Sequence, residues 1–399
     1  MSSWVGRTVE AEVGPVAHGG HCVSRVEGRV VFVRHALPGE LVLAEITEDK
    51  GGSFCRADAV RILRAAPERV EPPCPVAAPG LCGGCDWQHA APEFQRELKA
   101  RVVEEQLLRL AGIERAVKVE ALPGGPLHWR TRVRLVAGKD GRAGLRAHRS
   151  HRVVALDDCP ISLPLDPALS RRWRPGTEIE FTHDDAGQTH VRELSVVRGK
   201  RRARQLSGGL AVQHAAGREW KLDAHGFWQV HPAAADTFAA VAGEWTAAPS
   251  GGVAWDLYSG VGLFASVLAG QVGPEGEVVA VESGRRAVTD GEQALADMPQ
   301  VRWVSGRVEQ VVRDLPGRPD VVVLDPPRSG AGRAVVESIV EHRPERVVYV
   351  ACDPAALARD LATFGNAGYR LAELRAFDAF PMTHHVECVA ILEPVTKGL

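Results

Sequence analysis

The 399-residue chain lacks an excess of either charge: 48 Lys and Arg stand against 50 Asp and Glu, a net charge of −2. That balance excludes a uniformly basic coat for nucleic acid. It leaves room for a local basic surface, because the distribution of charge sets the field more than its sum does. The chain also lacks any run of about 18 apolar residues, so no membrane span is expected. Its start, Met1-Ser-Ser-Trp-Val-Gly-Arg7, has no basic stretch followed by an apolar one, so no secretory signal is expected. Cysteine is scarce, at eight residues, too few for a disulfide scaffold. A reducing, cytoplasmic setting is therefore expected, in which clustered cysteines read as metal ligands or nucleophiles. Internal repeats and low-complexity tracts are absent as well.

What is present is ordinary globular composition, 45% apolar and 25% charged, with length for two or three domains. Charge is unevenly placed. Residues 251–399 hold 14 basic and 20 acidic side chains, which leaves 34 and 30 for residues 1–250. Residues 128–152 carry Arg130, Arg132, Arg134, Lys139, Arg142, Arg146, Arg149 and Arg152 against one acid, Asp140. A second cluster is Arg198, Lys200, Arg201, Arg202 and Arg204. Such runs are usually solvated surface, but here they point to phosphate contact, with Arg130, Arg132, Arg134, Arg201 and Arg202 as the candidates.

Residues 8–64 read as five short strands between Gly-rich turns, a small β-barrel of the oligonucleotide-binding kind. Residues 67–79 are Pro-rich and mark a boundary. Phe94 to Leu110 has the apolar spacing of an amphipathic helix, residues 129–205 alternate as strands, and from about 251 a βαβ pattern implies a parallel, doubly wound sheet.

Four motifs carry chemistry. Cys74, Cys82 and Cys85, with Cys159 as a fourth, suit an iron–sulfur cluster or a structural zinc, which spacing alone does not separate. Asp256-Leu-Tyr258-Ser-Gly260-Val-Gly262 follows a strand and opens a helix, and Glu282 ends the next strand, placed for ribose hydroxyls. That spacing suits a dinucleotide or S-adenosylmethionine; without a full Gly-x-Gly-x-x-Gly, S-adenosylmethionine is the expected ligand. Asp325-Pro326-Pro327 ends a third strand in a rigid loop, a pattern seen in methyltransferases that act on nucleobases. Cys352 ends a fourth, with Asp353 as helix cap and Pro354 in the first turn, where the helix N-terminus should favour thiolate. Glu387 opens a final apolar run and, on pattern alone, reads as solvated.

Together, Cys352-Asp-Pro-Ala-Ala-Leu-Ala-Arg-Asp360, Leu324-Asp-Pro-Pro-Arg-Ser-Gly330 and Asp256 to Gly262 resemble the RNA uracil-C5 methyltransferase family. Gly226-Phe-Trp-Gln229-Val230 is similar to that family's Gln-bearing segment, Cys82-Gly-Gly-Cys85-Asp-Trp-Gln-His89 to the cluster-binding segment of its iron–sulfur members, and residues 8–64 to a TRAM domain. The resemblance implies an α/β protein. Its parts are a Rossmann-like methyltransferase domain (93–120 and 225–399), an OB-like TRAM barrel (1–65) and a β-rich central iron–sulfur domain (66–92 and 121–224). It also implies that Gln229, Tyr258, Glu282 and Asp325 contact S-adenosylmethionine, with Asp256, Gly260 and Gly262 shaping that site. Cys352 would be the nucleophile and Glu387 the base, and Cys74, Cys82, Cys85 and Cys159 would hold a 4Fe–4S cluster, with zinc the alternative. Ser259 stands where the family commonly has Cys, and Arg307 where Asp or Asn is usual. The expected partner is RNA, with ribosomal RNA favoured over transfer RNA, and the expected state a monomer. Two other functions compete: amino-methylation of adenine, and a metal-stabilised RNA-binding module with an inactive methyltransferase domain.

Overall fold

The computed structural model describes residues 3–395 apart from 167 and 198, so Arg198 of the second basic cluster lies outside the described residues. Strands Thr8–Glu12, Cys22–Val26, Arg29–Arg34, Leu41–Glu48 and Phe54–Arg64 form one five-stranded sheet. The first shows why it curls around a core: Val9 and Ala11 are buried and Thr8, Glu10 and Glu12 exposed, the two-residue period of a half-buried strand. Val31, Val33, Val42, Ala44 and Ile46 complete that core, and the face of helix Pro92–Gln106 carrying Phe94, Leu98 and Val102 closes it. Each such side chain contributes about 1.5–3 kcal/mol when fully buried.

A second sheet, antiparallel throughout, orders six strands as Lys200–Ser207, Thr189–Val197, Glu178–His183, Arg132–Ala137, Ala143–Arg146 and Val153–Ala155. The hairpin Leu210–Ala215 and Arg218–Asp223 then leads through residues 224–233 to helix Ala234–Thr246 and the third sheet.

That sheet has eight strands: Val301–Ser305, Glu277–Glu282, Val253–Leu257, Val321–Leu324, Arg346–Ala351, Glu387–Pro394, Tyr369–Asp378 and Val119–Ala121 in spatial order. The first five are parallel; the edge strand Val301–Ser305 is partly exposed, and the four inside it are buried on both faces and close to continuous Val, Ala and Leu. The parallel sheet ends in one reversed strand, Glu387–Pro394, which runs antiparallel to both neighbours. The cause is the connection. Residues 379–386 contain no helix, and so short a link returns the chain antiparallel rather than crossing over. Among the described residues no helix is long and apolar enough to cross a membrane.

Helix Pro92–Gln106 ties the sheets together. Lys99 is fully buried; its Nζ lies 2.5 Å from Asp378 Oδ1 and donates to the Phe380 carbonyl at 3.1 Å. Gln95 accepts from Met382 N–H at 2.8 Å and donates to the Trp87 and Ala90 carbonyls. A buried charge left alone is far worse than none. Lys99→Met should therefore lower unfolding free energy in urea by about 3–5 kcal/mol, and Lys99→Met with Asp378→Asn should restore part of it. Equal loss in both variants would mean that the pair is not what the helix contributes.

Candidate active site

The parallel strands present their C-terminal ends on one edge, and most of the expected residues meet there. Asp256, on the central strand, is fully buried; its Oδ2 accepts from Ala265 N–H at 2.8 Å, inside the first turn of helix Leu263–Val272, while Oδ1 has no partner. Burial, with Asp325 and Glu282 nearby, pushes its carboxyl up to about 8. The turn between strand and helix is left-handed at Tyr258 (φ 61°), Gly260 (56°) and Gly262 (89°). At Gly262 a Cβ would come within 3.0 Å of Leu295 and Trp303, so only glycine lets the turn pack this closely. Glu282 ends the next strand and holds the turn from the side, accepting from Gly260 N–H at 3.0 Å and Gly284 N–H at 2.5 Å. The Tyr258 hydroxyl is 3.5 Å from Glu309, and burial beside that carboxylate lifts the phenol well above its usual range. Glu309 also pairs with Arg307 at 3.9 Å.

Asp325 follows the neighbouring strand, its carboxyl raised by desolvation to about 7. The loop after it is anchored from below: Asp360 accepts from Ala331 N–H at 2.8 Å and from the Tyr349 hydroxyl at 2.6 Å. Gln229 lies on the connection before helix Ala234–Thr246. There Arg132 donates to the carbonyls of Ala224 and Gly226, and the Thr131 hydroxyl donates to that of Val230 at 2.8 Å.

Cys352 sits one residue past strand Arg346–Ala351. Asp353 caps the next helix as expected, accepting from Ala356 N–H at 2.8 Å, with Pro354 in its first turn. Antiparallel pairing of Ala351 with Cys388 brings Glu387 opposite Cys352. Two expectations are corrected here. Glu387 is 6% exposed rather than solvated, and burial, with Asp325 nearby, raises its carboxyl well above the ordinary range. Cys352 is not biased toward thiolate: burial first, then the carboxylates of Glu387, Asp325 and Asp353, push the thiol up to about 12. The helix N-terminus is outweighed because the thiol is desolvated among acids. Arg328 is the cation that opposes this at both Cys352 and Glu387. Sequence reasoning gave it no role, although its place directly after Asp325-Pro326-Pro327 was the available signal.

The loop before Glu387 is clamped by residues that sequence reasoning also missed. Asp86 lies 2.6 Å from His384 Nδ1 and 3.1 Å from Arg34, and the backbone N–H groups of Asp86 and Trp87 donate to the Met382 carbonyl. From the barrel, His18 Nε2 reaches Asp353 at 2.9 Å, raising the imidazole's pKa and lowering the carboxyl's.

Cys74, Cys82, Cys85 and Cys159 line one small cavity with Gln88, Leu145 and Leu156. Gln88 Nε2 donates to Cys85 Sγ at 3.1 Å and its Oε1 accepts from Cys74 N–H, while Gly84 N–H points at Cys82 Sγ at 3.4 Å. Gly83 is needed for closeness: a Cβ there would meet the His148 backbone at 2.6 Å. Burial raises the thiols of Cys82, Cys85 and Cys159, that of Cys85 to about 12. Among the described residues no three His, Cys, Asp or Glu side chains are placed to hold a single metal ion.

The arginines expected at RNA divide. Arg132 turns inward, as described above, and burial lowers its pKa to about 10. Arg134 pairs with Glu180, and Arg130 Nε donates to the Arg132 carbonyl. Arg202 is exposed on strand Lys200–Ser207, where Arg201 also lies; the Arg201 side chain is outside the described residues.

A parallel sheet with a glycine turn, a strand-end acid beside it and a TRAM barrel defines an S-adenosylmethionine-dependent methyltransferase fold. The family model for tRNA (uracil-5-)-methyltransferase matches residues 315–395, and that for the TRAM domain residues 3–60. An uncharacterized RNA methyltransferase of Streptomyces avermitilis is 47% identical over 99% of this chain and 100% of its own length. Another, from Corynebacterium glutamicum, is 39% identical over 98% of each chain. The chain belongs to the family of these RNA methyltransferases. Its fold is similar to that of the Pyrococcus abyssi tRNA (uracil-54, C5)-methyltransferase, solved with S-adenosyl-L-homocysteine. The TM-score is 0.74 and the identity 22%, over 96% of this chain and 100% of that one.

The sign of the Cys352–Glu387 coupling is testable. Glu387→Gln removes a negative charge beside the thiol, so Cys352 should titrate at lower pH and react faster with iodoacetamide under alkaline conditions. Arg328→Gln removes the opposing cation and should shift alkylation to higher pH. Shifts in the same direction for both would contradict the arrangement.

Proposed function

We propose that the chain methylates C5 of a uridine in RNA, with S-adenosylmethionine as methyl donor. The observation that carries this reading is a buried carboxyl, Glu387, placed opposite a strand-end thiol, Cys352. S-Adenosylmethionine, when bound, supplies an electrophilic methyl group on a sulfonium. Tyr258, Gly260 and Gly262 shape its site, and Glu282, Asp325 and Gln229 are the side chains assigned to hold it.

Uracil C5 is a weak nucleophile until something adds at C6. The Cys352 thiol gives up its proton to solvent, and its sulfur forms a bond to C6. The electron pair of the C5–C6 double bond moves to C5, which takes the methyl group as the methyl–sulfur bond breaks and its electron pair stays on the donor sulfur, leaving a thioether. Glu387 then removes the C5 proton; that electron pair restores the double bond and expels Cys352. A base that must accept a proton from carbon benefits from a raised pKa, which burial of Glu387 provides. The uridine must be unstacked for the thiol to reach it.

The four thiols suit a 4Fe–4S cluster, which Cys74, Cys82, Cys85 and Cys159 would hold. Four cysteines with N–H donors aimed at two of the sulfurs match that donor set. We assign the cluster segment and barrel together to ribosomal RNA recognition.

Cys352→Ala should abolish transfer of labelled methyl from S-adenosylmethionine to RNA while leaving cofactor affinity, by calorimetry, within about twofold. Retained C5 methylation in that variant would remove the nucleophile assignment. Iron and acid-labile sulfide should be found in anaerobically purified protein and be lost together in Cys85→Ala. Stoichiometric zinc without sulfide would replace the cluster by a structural metal.

A further inference from the structure

A cavity of about 340 Å³ lies away from the methyl-transfer site, between the barrel and the cysteine segment. That volume is in the range of small-ligand sites. Arg34, Arg56, Arg149 and Arg152 line it against two acids, Glu48 and Asp58. Glu48 already faces three cations, Arg149 at 2.9 Å, Lys50 at 3.2 Å and Arg56 at 3.6 Å, so the wall keeps a positive excess.

His21 reaches the same cavity. It is 8% exposed, and its Nε2 has no hydrogen-bond partner. An unpaired buried polar atom costs about 1–3 kcal/mol, so a cavity-lining side chain that carries one is suited to take a ligand's hydrogen bond. Burial and the neighbouring arginines hold His21 and His148 neutral, each near 4. A row of rings runs out of the cavity across the barrel: His148 to His21 at 6.0 Å, His21 to Phe32 at 6.3 Å, Phe32 to Phe54 at 5.4 Å. Arg56 lies over both phenylalanines, and Phe54 is 42% exposed. Cations alternating with aromatic faces are the platform on which single-stranded nucleic acid stacks.

One loop links the cavity to the active site. Loop residues 18–21 place His18 against Asp353, the neighbour of Cys352, and His21 in the cavity; three residues span at most about 11 Å. We infer that this cavity, with the ring row leading from it, seats an unstacked nucleotide of the RNA chain outside the uridine that is methylated. The phosphate meets Arg56 and Arg149, and the base edge meets His21. This rests on the RNA-methyltransferase reading for the identity of the polymer, but its site shares no residue with the transfer chemistry.

The test uses a fluorescein-labelled single-stranded oligouridylate and the full-length protein. His148→Ala, Phe54→Ala and Arg56→Gln, all at exposed or partly exposed side chains, should each weaken binding by about fivefold to a hundredfold. S-Adenosylmethionine affinity should not change, which excludes a folding defect. Wild-type affinity in all three variants would overturn the cavity assignment while leaving methyl transfer to RNA intact. So would a wild-type protein that methylates RNA yet does not bind the oligouridylate. Variant-sensitive RNA binding in a protein that transfers no methyl to RNA would support the cavity and overturn the proposed function instead.

Discussion

A carboxyl group held out of water against a thiol is costly, and much of this molecule serves to hold Glu387 and Cys352 in that relation. Neither residue would adopt it alone. Glu387 begins a strand whose next five residues, Cys388 to Leu392, are apolar and buried, and the antiparallel pairing with Arg346–Ala351 fixes which side chain it opposes. A slip of one residue would turn Glu387 to the opposite face of the sheet. The register is protected by the loop before it, which is fastened from three sides: Lys99 and Gln95 on the helix, Asp86 and Trp87 after the cysteine segment, and the barrel behind them through Arg34.

This arrangement explains why the barrel and the cysteine segment bear directly on the catalytic sheet. The barrel core is completed by the same helix that buries Lys99, and the residues directly after Cys85 support the loop that carries the base. Disturbing the thiol cavity is therefore expected to move Asp86, and with it His384, three residues before Glu387.

How much of this was legible in the sequence follows from sequence distance. The barrel strands, the amphipathic helix and the parallel strands each write their pattern over neighbouring residues, and Asp256, Glu282, Asp325 and Cys352 are marked by falling at strand ends. Glu387 was misread because its environment comes from a pairing partner about 35 residues earlier and from Asp325 and Arg328, none of which its own alternation reveals. The charge state of Cys352 was misread for the same reason: a helix N-terminus can be seen locally, whereas desolvation and three carboxylates cannot. Arg132, read as a surface cation, is turned inward by backbone carbonyls 92 and 94 residues away. The His18–Asp353 pair spans 335 positions and leaves no local trace.

The central claim is that Cys352 bonds to uracil C6 and that Glu387 must take the C5 proton before the thiol can leave. RNA containing 5-fluorouridine tests it most directly, because fluorine at C5 leaves no proton to remove. Mass spectrometry of the enzyme after incubation with that RNA and S-adenosylmethionine should find a methylated RNA fragment attached to the peptide carrying Cys352. Absence of that adduct, with methyl groups recovered instead on adenine amino nitrogens, would contradict the account.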